Sequence, residues 1–305
     1  MLVLETHDLC KKYKEQWAVD HVAMHIEAGD IYGFVGENGA GKTTVIRLIT
    51  GIAWPTEGSY KLFGTDYRDK AVSALRKKMR GIVETVSLNL SLTARENLAY
   101  QGMLLGIKLG NDEIDALLSR VGLHPNEIAL KKVRSFSLGM KQRIGMAATL
   151  IGDPEFIILD EPMNGLDPTG FIEVRDLILK LNSEGITFLI SSHILSELEK
   201  VCTKIGFLSH GKLLKELTVE ELRDQSKTKI VIESDEAEEI ERTLVRALSA
   251  SNIVTEGRIC TIYDPVDLND VIRVLAQNEL KVTNISRQED TIESYYMKLI
   301  GGGVS

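Results

Sequence analysis

The sequence predicts an α/β fold: a mainly parallel sheet covered by helices, followed by a smaller α+β domain. Three observations carry that prediction. The apolar run Ile31-Tyr32-Gly33-Phe34-Val35 passes through a glycine-rich turn into the helical opening Val45-Ile46-Arg47-Leu48-Ile49. Two later runs, Phe156-Ile157-Ile158-Leu159 and Thr187-Phe188-Leu189-Ile190, are apolar without alternation, as strands buried on both faces are. Past Gly211 the pattern changes, and from Lys229 it reads strand, helix, strand, strand, helix, strand, the order of a ferredoxin-like unit. At 305 residues the chain exceeds the usual size of one core, so two domains are expected.

Taken in order, Leu2 to Glu5 and Val22 to Ile26 read as short strands flanking the polar segment Lys11 to Gln16. Gly51 and Pro55-Thr56-Glu57-Gly58 mark a turn, and Tyr60 to Gly64 a strand. A charged helix is expected from about Asp69 to Met79, then a strand at Ile82-Val83-Glu84. Thr93 to Leu109 has helical apolar spacing, with Thr93 and Glu96 placed as a capping box. A second helix, Asn111 to Val121, is closed by Gly122, and a third starts at Ser135 to Arg143. These helices, about residues 85–150, read as a helical subdomain inserted into the α/β core. In the C-terminal part, helices are expected at Glu236–Ala250, Asp267–Gln277 and Thr291–Leu299. Strands are expected at Lys229–Ile232, Ile253-Val254, Arg258–Tyr263 and Lys281–Ser286. The domain boundary is placed at 216/217, within a zone of residues 215–228, and Gly301-Gly302-Gly303 should fray.

Gly36-Glu37-Asn38-Gly39-Ala40-Gly41-Lys42-Thr43-Thr44 matches G-x-x-x-x-G-K-[ST], between strand and helix as a P-loop requires. Glycines let successive backbone N–H groups turn inward around phosphate oxygens, and the following helix adds its unpaired N–H groups and positive dipole end. Lys42 supplies a cation for the terminal phosphates, and the Thr43 hydroxyl a ligand for Mg²⁺. The chain is therefore expected to bind a nucleoside triphosphate. Asp160 and Glu161 end a buried strand at its carboxyl edge, where ligands of open α/β sheets sit. There Asp160 can hold Mg²⁺ and Glu161 can take a proton from an attacking water. His193 follows the next buried strand and is placed to hydrogen-bond the γ-phosphate; Tyr13 is placed to stack on an adenine ring.

Composition narrows the function. Lys+Arg 36 against Asp+Glu 44 gives −8, which argues against nucleic acid as the main partner. Cys10, Cys202 and Cys260 are scattered, so neither zinc nor a disulfide framework is expected, and a reducing cytoplasm fits. No apolar run is long enough to span a bilayer, so membrane work must be done through another chain.

Together these motifs resemble the ATP-binding subunit of an ATP-binding cassette (ABC) transporter over about residues 1–215. Gly36 to Thr44 resembles its Walker A, Ile157 to Glu161 its Walker B, and Phe136-Ser137-Leu138-Gly139-Met140 its signature motif. Asn164-Gly165-Leu166-Asp167 is similar to the D-loop, and His193 to the switch histidine. The resemblance implies an ABC ATPase core (1–216) with an antiparallel N-terminal sheet, then an accessory domain (217–305). It implies an ATPase on the cytoplasmic face of the membrane, using ATP and Mg²⁺ and working with a multi-span permease. It further implies a second ABC subunit, homodimeric or heterodimeric, whose Ser137 and Gly139 close over the nucleotide held by Gly36, Asn38, Gly39, Ala40, Gly41, Lys42, Thr43 and Thr44. Asp167 joins that set; Glu161, His193 and Lys42 are the implied catalytic groups, and Thr43, Glu84 and Asp160 the metal ligands.

Two departures stand out. The signature reads Phe-Ser-Leu-Gly-Met where Leu-Ser-Gly-Gly-Gln is commonest, and Glu84 replaces a glutamine. An ionised carboxylate binds Mg²⁺ more strongly than a carboxamide but cannot donate a hydrogen bond. Glu84, the Ser-Leu-Gly-Met-Lys-Gln-Arg form and the added domain resemble the subgroup exporting bacitracin-like or lantibiotic peptides. The alternative is a soluble ABC-type ATPase acting on nucleic acid or ribosomes; a coiled-coil insertion, zinc cysteines or a second cassette would favour it, and none is present. A binding-only module is opposed by intact Lys42, Asp160 and Glu161. The C-terminal domain shows no chemical constellation and reads as a packing or dimer-supporting appendage.

Overall fold

The computed structural model describes residues 1–84, 87–225, 229–248, 251–288 and 292–301. The chain divides into two compact units, Met1–Val219 and Glu220–Ser305.

In the first unit, β1 (Leu2–Tyr13) pairs antiparallel with β2 (Gln16–Val22) and β3 (His25–Glu27). The expected polar loop is thus strand up to Tyr13, with only Lys14-Glu15 left for the turn. The expected strand Val22–Ile26 is two pieces, β2 ending at Val22 and β3 beginning at His25. β4 (Ile31–Val35) leads into α1 (Lys42–Thr50). β5 (Glu57–Leu62) begins earlier than expected and turns through Phe63 and Gly64, φ 49° and 77°, into β6 (Thr65–Asp66). Two positive φ values in a two-residue loop match the twist of the flanking strands. These strands form one antiparallel sheet of order β2-β1-β5-β6, with β3 also on β1.

α2 (Val72–Leu75) and a 3-10 turn at Arg76–Lys78 are all that forms of the expected charged helix. Of these residues only Val72 is buried, so packing supplies little to extend it. β7 (Met79–Ile82) therefore begins three residues ahead of the expected strand. The helical insertion follows: α3 (Ala94–Leu104), α4 (Asn111–Arg120), α5 (Pro125–Ile128) and α6 (Leu138–Thr149). Thr93 and Glu96 close a reciprocal capping box on α3, as expected. That helix stops before Leu109 because Gly106 takes a left-handed conformation, φ 74°. β8 (Phe156–Asp160), α7 (Pro168–Ser183), β9 (Thr187–Ser192), α8 (Leu195–Leu198), β10 (Lys204–Ser209) and β11 (Lys212–Thr218) complete the order, and α9 (Val219–Gln225) starts at the last residue of this unit and otherwise belongs to the second.

The second sheet runs β11-β10-β4-β9-β8-β7, parallel except for β11 against β10. One core cluster joins Leu4 and Leu9 of the antiparallel sheet, Val45, Ile46, Leu48 and Ile49 of α1, and Phe34, Ile158 and Leu189 of the parallel sheet. Burying each of those α1 side chains is worth about 1.5–3 kcal/mol, which pins the helix behind the glycine-rich loop.

The second unit contains β12 (Lys229–Glu233), α10 (Ala237–Leu248), β13 (Ile253–Glu256), β14 (Ile259–Ile262), α11 (Leu268–Gln277), β15 (Asn284–Gln288) and α12 (Ile292–Gly301). Its antiparallel sheet has the order β13-β14-β12-β15, and Ile230, Ile232, Ile240, Leu244, Cys260, Ile262, Val271 and Leu275 form its core. β15 begins three residues later than the expected strand and ends two later. Ala250 and Thr291, ends of expected helices, Gly302 and Gly303, and residues 226–228 of the boundary zone lie outside the described residues.

Candidate functional site

The carboxyl ends of β4, β8 and β9 lie side by side in the parallel sheet, and the site is assembled there. Between β4 and α1 the loop is compact enough to exclude side chains at two glycines. A β-carbon at Gly36 would lie 2.4 Å from the Leu208 carbonyl oxygen. Gly41, at φ 110°, caps α1, and a β-carbon there would lie 2.4 Å from the Ala18 carbonyl oxygen. Gly41 as cap makes no side-chain bond to the first N–H groups of α1, which suits them to an anion. Lys42 is 6% exposed and turns back over the loop. Its Nζ donates to the Gly36 carbonyl at 2.6 Å and to the Glu37 carbonyl at 3.2 Å, and stands 3.5 Å from Glu161 Oε1.

Asp160 ends β8 and is 4% exposed, so its carboxylate must be hydrogen-bonded. The Thr43 hydroxyl donates to Oδ2 at 2.9 Å, and the Ser191 hydroxyl donates to Oδ1. Glu161 sits in the left-handed region at φ 51°. Its N–H donates to the Ser191 hydroxyl at 3.0 Å, and its Oε2 lies 2.8 Å from His193 Nδ1. Loop, cation, buried acid, second acid and histidine therefore meet in one place: Lys42, Thr43, Asp160, Glu161 and His193.

Glu84, at φ 65°, is ion-paired with Arg47 of α1. It lines a cavity of about 300 Å³ together with Asp160, Glu161, Asn164, Leu138 and Gln142. Thr43 and Asp160 supply hard oxygens already within hydrogen-bond distance, and Glu84 a third on the same cavity, a donor set suited to Mg²⁺.

Tyr13 is 45% exposed and lines a second cavity, of about 340 Å³, with Trp17, Gly39, His210 and Gly211. That places an aromatic wall beside the glycine-rich loop. Gly211 N–H donates to the Ala40 carbonyl, fixing one wall of this cavity to the loop.

Ser137 is exposed at the N-terminus of α6, where its hydroxyl accepts from Met140 N–H at 3.2 Å. Gly139 packs beside Gly170 and Leu166. Asp167 accepts from Gly170 N–H at 3.0 Å and caps α7. The described contacts of these three residues are local, so the chain does not itself bring them onto the Lys42 loop. Four participants escaped sequence reading. Ser191, adjacent to the noticed His193, clamps both acids; Arg47 holds Glu84; Trp17 and His210 join the Tyr13 cavity. Only Ser191 carried a signal, its place at the end of a buried strand.

A family model described as "ABC transporter" matches residues 19–164. The chain is 38% identical over 304 residues to the bacitracin transport ATP-binding protein BcrA of Enterococcus faecalis, covering 99% of this chain and 97% of that one. It is 40% identical over 214 residues to the lantibiotic transport ATP-binding protein SrtF of Streptococcus pyogenes, covering 70% and 90%. Among solved structures, cbiO1 from Clostridium perfringens, part of the ABC transporter complex cbiONQ, superposes with a TM-score of 0.64 at 25% identity, covering 81% of this chain and 96% of that one.

Proposed function

Because the chain belongs to the ABC transporter family, as an ATP-binding subunit that hydrolyses ATP, we propose that it powers export of a peptide antibiotic or similar amphipathic compound through a separate membrane subunit. The full-length likeness to a bacitracin transport protein and the likeness to a lantibiotic transport protein support that choice of cargo. Neither relative favours action on nucleic acid or ribosomes.

The observation that carries the catalytic reading is the contact of Glu161 with His193 on one oxygen and its approach to Lys42 on the other. Lys42 exchanges its two loop carbonyls for terminal phosphate oxygens of ATP. Thr43, Asp160 and Glu84 would hold Mg²⁺, which would supply positive charge to offset that of the phosphates. Glu161 accepts a proton from water as the water oxygen bonds the γ-phosphorus and the bond to the ADP oxygen breaks. His193 keeps the Glu161 carboxylate aimed. Tyr13 stacks on the base. Ser137 and Gly139 serve the partner subunit's nucleotide, since the start of α6 is exposed and its N–H groups suit an anion.

Among the described residues no helix is long and apolar enough to cross a membrane; the reading puts the membrane subunit on another chain, with this one at its cytoplasmic face. A cavity of about 370 Å³ is lined by Ile52, Ile82, Leu88, Gln101, Leu105 and Ala148; α3, which supplies Gln101, also exposes Tyr100, Met103 and Leu104, and we assign the cavity to that subunit's cytoplasmic segment. The test is copurification of the tagged chain from detergent-solubilised membranes. A multi-span protein in the complex supports the proposal; nucleic acid or ribosomes without one overturns it.

A further inference from the structure

Among the described residues, one cluster of ligand-type side chains lies outside the nucleotide site. The β1–β2 ladder pairs Leu9 with Val22 and then Lys11 with Val19, so Cys10 alone faces both Asp20 and His21. A bulge of this kind turns side chains that would point to opposite faces toward one place. His21 adopts φ 54° within it, and its N–H donates to Cys10 Sγ at 3.2 Å. His21 Nδ1 lies 2.6 Å from Asp20 Oδ1. The ligand atoms of Cys10, Asp20 and His21 all fall within 4.8 Å of one another.

We propose that Cys10, Asp20 and His21 form a binding site for a zinc-class divalent cation. Sulfur, imidazole nitrogen and one carboxylate oxygen make up the soft-to-borderline set that zinc prefers, unlike the all-oxygen set of Thr43, Asp160 and Glu84. Bonds of about 2.0–2.3 Å to a shared ion put ligand atoms roughly 3.3–3.8 Å apart, so small rotamer shifts close the site. Lys212 Nζ, 3.2 Å from Asp20 Oδ2, holds the second carboxylate oxygen and leaves Oδ1 for the ion. Cys10 is fully buried, while the His21 side chain is 62% exposed and provides the entry path. Binding exchanges the Cys10 thiol proton for the ion, the proton leaving to solvent. The site is tied to the nucleotide loop, because Asp20 N–H donates to the Gly211 carbonyl and Gly211 N–H to that of Ala40.

The test uses the full chain, stripped with chelator and titrated with Co²⁺ as the spectroscopic probe, followed by Zn²⁺ displacement. One equivalent should give a near-ultraviolet thiolate-to-cobalt charge-transfer band, abolished in Cys10→Ser. The exposed variant His21→Asn, which tolerates the left-handed backbone, should bind at least about tenfold more weakly while folding normally. A wild-type protein without a thiolate band, or an unchanged titration in His21→Asn, would overturn the proposal.

Discussion

Replacing Glu161 by glutamine separates nucleotide binding from hydrolysis. The carboxamide keeps the shape and can still meet His193 Nδ1, which lies 2.8 Å from Oε2. It removes the proton acceptor, and a general base contributes about 10²–10⁴-fold, or roughly 3–5 kcal/mol of barrier. It also removes a negative charge 3.5 Å from Lys42 Nζ, at a lysine that is almost fully buried. Lys42 keeps its two loop carbonyls, and loses a carboxylate that competes with phosphate for it. Glu161→Gln should therefore bind ATP at least as tightly as the parent chain while turnover falls about 10²–10⁴-fold. Phosphate release under saturating ATP measures the second effect, and titration with a fluorescent ATP analogue the first. Turnover within about threefold of the parent would remove Glu161 as the base.

The same geometry gives three further expectations. Gly36→Ala forces a methyl against the Leu208 carbonyl, so it should cost about 1–3 kcal/mol in urea unfolding and weaken nucleotide binding; an unchanged midpoint would contradict the 2.4 Å approach. Tyr13→Ala should weaken nucleotide binding by roughly two- to twelvefold, corresponding to about 0.5–1.5 kcal/mol of stacking, whereas Tyr13→Phe should leave it unchanged. A double-mutant cycle with Arg47→Ala and Glu84→Gln should return a coupling of about 0.2–1 kcal/mol that fades in high salt, because both side chains are partly exposed; zero coupling in low salt removes the pair.

Chemistry with a fixed local spacing was the legible part. Gly36 to Thr44 must be contiguous to cradle a phosphate, and Asp160-Glu161 must end a buried strand, so each announces itself in one short stretch. Strands with no polar face, such as Ile31–Val35, Phe156–Asp160 and Thr187–Ser192, are equally plain. Contacts made across the fold left no such trace. Arg47 and Glu84 are 37 positions apart, and Ser191 reaches Asp160 across 31. The Cys10 cluster depends on a one-residue bulge, which no spacing rule signals, and so the cysteines read as scattered. Segments with few buried side chains, such as the charged stretch before Met79, misled because propensity there is overruled by the strand that follows.

Glu161 carries one more implication, through its backbone rather than its carboxylate. A glutamate held at φ 51° is less comfortable there than glycine or asparagine, by about 1–3 kcal/mol. Glu161→Gly should accordingly resist heat no worse than its parent while losing hydrolysis, a chain made sturdier and idle by the same change. The turn after β8 is thus where this molecule has traded endurance for work.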